Sequence, residues 1–295
     1  MFLKFFKSAA AIGSLVLASA PVGLWAYDLK PIVVQLEPSG PGSSQTMVIS
    51  NTHTVPIAIE VRAFRRKQLP SGDDELTPED EDLLIYPPQM VLPPETSQSF
   101  QVRWVGEPVV DRELAFRIVT EQLPIKFEKK SAGERTADVT VRYRYEAALY
   151  IMPDGAEPDA ALTSVSRVTG EDGSEFLELA IASNGTMRAI LDEPSIILSG
   201  SDGSTYTIEG EEAAALQGLN VLPGAERRVQ IPLPQQLFAG PLTGTLETRY
   251  IILQKGWRLR EKFQKSGRGM LRHRYHRRRA PCGCIARPGC PHRRG

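Results

Sequence analysis

Of the four histidines in this chain only His53 precedes Gly256, so any imidazole chemistry in the body of the protein would rest on that one ring. Its setting, Asn51-Thr52-His53-Thr54, reads as a solvated turn between strands, not as a general base held beside a nucleophile. No G-x-S-x-G elbow, G-x-x-x-x-G-K-[ST] loop or H-E-x-x-H pair occurs. The acidic groups Asp73-Asp74 and Glu79-Asp80-Glu81-Asp82 fall in a polar stretch that offers nothing to bury or couple a carboxyl, so they read as charged surface. Cys282, Cys284, Cys290 and His292 are zinc-ligand types, yet Cys-x-Cys is tighter than the usual ligand spacing. No constellation nominates a reaction. The chain is expected to be a binding protein, not an enzyme, with no cofactor and no metal.

The compartment follows from the first residues. Lys4 and Lys7 precede an uncharged apolar run from Ser8 to Ala20, the pattern of a secretory signal peptide. Cleavage after Ala26 leaves Tyr27 as the mature N-terminus, whereas cleavage after Ala20 would put Pro21 at the scissile bond. A membrane anchor is the competing reading, but the run is shorter than the ~20 residues that span a bilayer, and no later segment approaches that length. All three cysteines lie beyond Gly256, so the body folds without disulfides. A formal net charge of zero conceals two unlike parts. From Trp257 onward Glu261 is the only acid among many Lys and Arg, which leaves the body acidic and a poor match for nucleic acid.

The body reads as strand after strand. Ile57, Ile59, Val61 and Ala63 alternate with Ala58, Glu60 and Arg62, Phe100, Val102 and Trp104 repeat the period, and so do Val139, Val141, Tyr143 and Tyr145 against Thr140, Arg142, Arg144 and Glu146. Gly72–Asp82 reads as a solvated loop, with a short helix after Thr77-Pro78 as an alternative. Met152-Pro153-Asp154-Gly155 breaks the pattern, and Ala156–Ala161 is suited to a linker. A second set follows: Phe176–Ser183, a hairpin signal at Asn184-Gly185, Ile196–Leu198, Tyr206–Ile208, one or two helical turns in Glu211–Gln217, Arg228–Ile231 and a last strand at Leu246–Leu253. The expected fold class is therefore all-β, in two sandwiches: signal peptide 1–26, first domain 27–152, second domain 153–256, basic tail 257–295. The tail admits three readings: a metal site, a segment attracted to an acidic surface, or a disordered or out-of-frame extension.

Taken in order, Ile49-Ser50-Asn51, Val55-Pro56-Ile57, Pro87-Pro88-Gln89-Met90-Val91-Leu92-Pro93-Pro94, Phe100–Val105, Glu113-Leu114-Ala115-Phe116-Arg117-Ile118 and Glu121-Gln122-Leu123-Pro124 resemble the first domain of the PapD-like periplasmic pilus chaperones. The second domain matches more loosely, through Leu179–Asn184 and Leu222-Pro223-Gly224. The resemblance implies two immunoglobulin-like sandwiches set at an angle around a cleft. It also implies a periplasmic chaperone that lends a β-strand to an incomplete fimbrial subunit and delivers it to an outer-membrane usher. Its partners would be pilus or fimbrial subunits and the usher, with no nucleic acid and no integral membrane segment in the mature chain.

By the same resemblance the donor strand spans Val139–Tyr145, with Val139, Val141 and Tyr143, extended by Tyr145, as the side chains entering the subunit. The alternative is that these residues face the chain's own core while Arg142 and Arg144 face water. The family's pair of basic residues that grips a subunit's terminal carboxylate would fall near Val33 and Ala148, neither of which is basic. Lys30, Arg142 and Arg144 are the candidate substitutes. Lys126, Lys129, Lys130 and Arg135 form a cationic loop, either steering an acidic partner or keeping a hairpin soluble. The competing function is a structural or adhesive immunoglobulin-like module of the cell surface.

Overall fold

The computed structural model describes residues 27–125 and 142–253, and the backbone of 263–265. The expected signal peptide, Val139, Val141, the cationic loop and the tail cysteines lie outside the described residues. The described residues form strands with two short 3₁₀ turns, Gly40–Ser43 and Ala214–Leu216, and no helix among them is long and apolar enough to cross a membrane.

The first sandwich contains β1 (Asp28–Lys30), β2 (Val33–Leu36), β3 (Ser44–Ser50), β4 (Ile57–Gln68), β5 (Asp74–Pro78), β6 (Leu83–Tyr86), β7 (Gln89–Leu92), β8 (Ser97–Trp104), β9 (Leu114–Gln122) and β10 (Arg144–Ile151). One sheet runs β1-β3-β8-β6 and the other β2-β10-β9-β4-β5, with β7 also on β4. The chain changes sheet along both sides of the sandwich. β1 pairs with β3 in the first sheet, and after Pro31 the chain continues as β2, parallel to β10 in the second. β6 pairs with β8, and after Pro87 the chain continues as β7 on β4.

The alternation read from the sequence is the alternation observed. Ile57, Ile59, Val61, Ala63, Phe100, Val102 and Trp104 are buried in one core with Leu29, Met47, Phe116 and Leu149, because a period-two strand sends every second side chain to the same face. Tyr27 closes this core, its hydroxyl bonded to the Thr120 carbonyl and hydroxyl at 2.8 Å. Burial, partly offset by the bond to Thr120, pushes its phenol up to about 12.

The acidic stretch departs from expectation. Residues 74–78 form β5, paired with β4, instead of a solvated loop or a helix. The physical reason lies in the partner strand, which carries the basic run Arg65-Arg66-Lys67. Arg65 binds Glu79 at 2.8 Å, Arg66 binds Asp74 at 2.7 Å and Lys67 binds Glu75 at 2.8 Å. Glu79 is itself buried and accepts the backbone N–H groups of Glu81 and Asp82.

The second sandwich comprises β11 (Ala160–Thr169), β12 (Glu175–Ser183), β13 (Ala189–Gly200), β14 (Thr205–Ile208), β15 (Asn220–Val221), β16 (Glu226–Pro232), β17 (Leu242–Tyr250) and β18 (Phe263–Lys265). One sheet is β11-β12-β16 and the other β14-β13-β17-β18, with β15 also on β13. Leu177, Leu179, Ile181, Leu191, Ile196, Leu198, Ile208 and Ile231 fill its core.

Four local expectations are corrected here. Asn184-Gly185 is not a hairpin turn, since β12 and β13 belong to different sheets. Gly185 is required instead by close packing, because a Cβ there would sit 2.5 Å from the Asp159 nitrogen and the Glu157 carbonyl oxygen. Ala160 and Ala161 already belong to β11, which shortens the connection between the sandwiches. The expected turns of Glu211–Gln217 reduce to the 3₁₀ turn Ala214–Leu216. β18 pairs with β17 beyond Gly256, so the second sheet takes in residues assigned to the tail.

The sandwiches meet through a small apolar cluster, Ala148, Tyr150 and Leu222 with Val33, Ala115 and Met152 against it. Polar clamps surround that cluster. Gln68 donates to the Asn220 carbonyl at 3.0 Å and accepts from the Leu222 N–H at 3.0 Å. The Glu113 N–H donates to the Thr186 carbonyl, and the Arg228 N–H to that of Pro70, both at 2.8 Å.

Candidate functional site

β10 is hydrogen-bonded to β9 along its whole length, from Arg144 to Ile151, but β2 covers its other side only from Ala148 to Ile151. Backbone groups on a strand point alternately to its two neighbours. The Gln122 N–H donates to the Tyr143 carbonyl on the β9 side, and the Ala148 N–H donates to the Ile32 carbonyl on the β2 side. By that alternation the N–H and C=O of Arg144 and Glu146 face a lane that is empty among the described residues. The lane is collinear with β2 and closes where β2 begins.

Side chains on β10 alternate as well. Ala147, Leu149 and Ile151 are buried in the first core, while Ala148 and Tyr150 face the junction with the second sandwich. Tyr143 and Tyr145 continue the first set, half-buried and packed against that core. The rings of Tyr145 and Tyr27 meet edge to face at 4.7 Å. Burial, then the neighbouring Tyr143, pushes the Tyr145 phenol up. Tyr145 thus serves the chain's own core, and Tyr143 stands at the rim where that core opens toward the preceding residues.

The rim is shaped by the loop read from sequence as a solvated turn. His53 is half-buried instead, its ring 5.9 Å from that of Tyr143, and its Nε2 is buried without a hydrogen-bond partner among the described residues. Asn51 holds the loop in place. Its amide donates to the carbonyls of Val55, Leu92 and Pro93 at 2.9, 3.2 and 2.9 Å, and its Oδ1 accepts the His53 N–H at 2.9 Å. One buried amide therefore substitutes for the ladder where β3 ends.

The candidate cations lie at the outer end of the site. Lys30 is exposed and paired with Asp28 on its own strand. Arg142 is exposed, and Arg144 is half-exposed and bound to Glu146 at 2.9 Å. Val33 and Ala148, where the resemblance would place a basic pair, are direct register partners and part of the apolar junction. The next residue in that row, across β9, is Arg117.

Arg117 belongs to a charged group that local sequence patterns do not reveal. Asp74 accepts from Arg117 at 2.7 Å and from Arg66 at 2.7 Å, and Arg66 reaches the Tyr150 hydroxyl at 3.3 Å. Burial alone would raise the Asp74 carboxyl, but its bonds to Arg66 and Arg117 hold it below the usual range. On the other side of Tyr150 the guanidinium of Arg188 lies 3.8 Å from the ring centroid. Arg188 donates to Glu113 at 2.6 Å, with both side chains almost wholly buried and each from a different sandwich. For Glu113, burial outweighs the attraction of Arg188 and pushes the carboxyl up. Glu113 was legible only as part of the family-like run 113–118. Arg188, 75 residues away, carried no signal.

The site holds edges, apolar surface and paired charges. Among the described residues no group of His, Cys, Asp and Glu could hold a metal ion.

Residues 31–157 match the family described as pili and flagellar-assembly chaperone, PapD N-terminal domain. No curated protein matches the chain. Among solved structures, the class 5 fimbriae chaperone CfaA aligns with a TM-score of 0.50 at 13% identity, over 81% of this chain and 98% of its own. The chain also aligns with one from the CsuC–CsuE chaperone–tip adhesion subunit pre-assembly complex of Acinetobacter baumannii, at 14% identity and TM-score 0.48, over 76% and 93% of the two chains. The E. coli chaperone DraB aligns at 16% identity and TM-score 0.45, over 82% and 96%. Residues 31–157 therefore match an N-terminal domain of the pili and flagellar-assembly chaperone family, and the chain shares its two-sandwich fold with the chaperone CfaA.

Proposed function

We propose that this protein is a periplasmic chaperone of fimbrial subunits, which it binds by completing their sheets with its own strand and passes to an outer-membrane usher. The observation that carries the reading is the lane beside Arg144–Ala147, empty among the described residues, on a strand whose other side is fully paired. An incomplete sandwich has unpaired edges and an exposed groove, and an extended strand supplies both missing halves: backbone pairing along its edge and alternate side chains for the groove. In the sequence Val139 and Val141 continue the alternation of Tyr143, which packs against this chain's core, so a docked subunit would extend one apolar interior into the next. Tyr145 marks where that face passes to the chaperone itself. The protein works by binding, without catalysis.

A subunit's terminal carboxylate has candidate grips in Lys30, Arg142 and Arg144. Displacing Asp28 or Glu146 from exposed partners would cost little, about 1 kcal/mol or less.

The test is co-expression with a fimbrial subunit from the same genome, followed by affinity purification. The wild-type chain is expected to carry the subunit with it. Val141→Asp would put a charge into an apolar groove and forfeit a side chain worth roughly 1.5–3 kcal/mol, weakening the complex at least about tenfold. A Val141→Asp complex as abundant as wild type would remove the donor-strand reading.

A further inference from the structure

The lane beside β10 has a built end, and that end carries an exposed apolar side chain. β2 enters the lane at Val33, opposite Ala148, and the Ile32 carbonyl already accepts the Ala148 N–H. Before Pro31 the chain belongs to β1, paired with β3 in the other sheet, so β2 does not extend outward along β10. A strand lying against Arg144 and Glu146 must therefore stop at Pro31-Ile32. Leu29 and Val34, three and two residues away, are each 2% exposed, whereas Ile32 itself is 59% exposed. An isolated surface isoleucine is ordinary, but this one stands at the only closed end of an unpaired lane among the described residues.

We infer that Ile32 is the register stop of the subunit site, the residue against which an apolar side chain at the inner end of the incoming strand packs. The inference rests on the donor-strand reading and deepens it. The occupant is an extended segment of the subunit with its own N–H and C=O groups unpaired on one side, because only such a segment satisfies the outward groups of Arg144 and Glu146. Pairing alone would tolerate a slip by two residues, since the pattern of backbone donors repeats at that interval. An apolar contact at a fixed end removes that freedom, as slipped registers leave either Ile32 or the partner's end residue in water. Ile32 is in this sense a specificity residue: it selects subunits whose inner strand residue is apolar and rejects those presenting a charge.

The experiment uses the full chain co-expressed with the same fimbrial subunit, in four forms: wild type, Ile32→Val, Ile32→Asp and Val141→Asp. Complex yield and the dissociation rate of the purified complex are measured, and thermal unfolding of each free chain serves as a folding check. Ile32→Asp is expected to speed dissociation roughly tenfold to a hundredfold, the worth of one buried apolar side chain, while Ile32→Val stays within about threefold of wild type. The Tm of Ile32→Asp should match wild type because the site is exposed in the free protein. If Ile32→Asp binds like wild type while Val141→Asp does not, the register stop is refuted and the donor strand stands. If both bind like wild type, the donor-strand reading falls and the register stop falls with it.

Discussion

Arg188→Leu tests the junction between the sandwiches. In the native protein the Arg188 guanidinium neutralises Glu113 at 2.6 Å, with the two side chains 1% and 0% exposed. Removing the cation leaves a buried carboxyl whose Oε1 already lacks a hydrogen bond among the described residues. Breaking a buried pair from one side costs about 3–5 kcal/mol, because the remaining charge is stranded in a low-dielectric site. The lost contact of the guanidinium with the Tyr150 ring adds about 1 kcal/mol. Protonation offers Glu113 a way out, which gives the prediction a pH signature. Burial already raises this carboxyl, and without Arg188 it rises further. A carboxyl whose folded value exceeds its unfolded value of about 4.3 costs nothing below that pH and costs progressively more as pH rises toward the folded value. Arg188→Leu should therefore be much less stable than wild type at about pH 7 and recover most of the loss near pH 4, while Arg188→Leu/Glu113→Leu should lie within about 2 kcal/mol of wild type and show no such slope. Urea midpoints followed by intrinsic fluorescence across that range would decide it. A single variant as stable as wild type at pH 7, or one whose loss is the same at both ends of the range, would refute the claim that this pair is buried and mutually dependent.

Two further outcomes follow from local geometry. Gly185→Ala should destabilise the chain by about 1–3 kcal/mol in thermal or urea unfolding, since its Cβ would meet backbone atoms of 157–159 at 2.5 Å with no flexible side chain to yield; a neutral effect would mean that the close approach of these segments is wrong. Asp74→Asn should cost about 1–2 kcal/mol at neutral pH, a figure discounted for partial exposure of the group. Because the native carboxyl lies below its unfolded value, its contribution is complete above about pH 4 and is lost as pH falls through the native value, so the difference from wild type should shrink in acid.

Much of the fold follows from period-two patterns that any reader of the chain can see. Ile57 to Ala63 and Phe100 to Trp104 announce their buried faces because alternation is a property of each strand alone. Where the sequence reading failed, the deciding partner was remote. Asp74 and Glu79 looked like solvated acids until β4 supplied Arg65 and Arg66, and His53 looked like a surface turn until Tyr143 packed near it.

For the candidate site the division is sharper. Of this segment the alternation marked Tyr143 and Tyr145, which pack against the core, whereas β10 runs from Arg144 on to Ile151, beyond the residues 139–145 expected as the strand. Which backbone groups stay unpaired was not legible, because that depends on where β2 lands. A landing at Ala148 leaves Arg144 and Glu146 open, whereas one four residues earlier would have sealed them with no change in the pattern of β10. Likewise, composition shows that arginines and acids are present, but only the meeting of two sandwiches decides that Arg188 neutralises Glu113 and that Arg117 shares Asp74 with Arg66. Strand periodicity is written in neighbouring residues. Edge exposure and charge pairing are set by contacts between segments far apart in the chain, and these exist only once the sheets have closed.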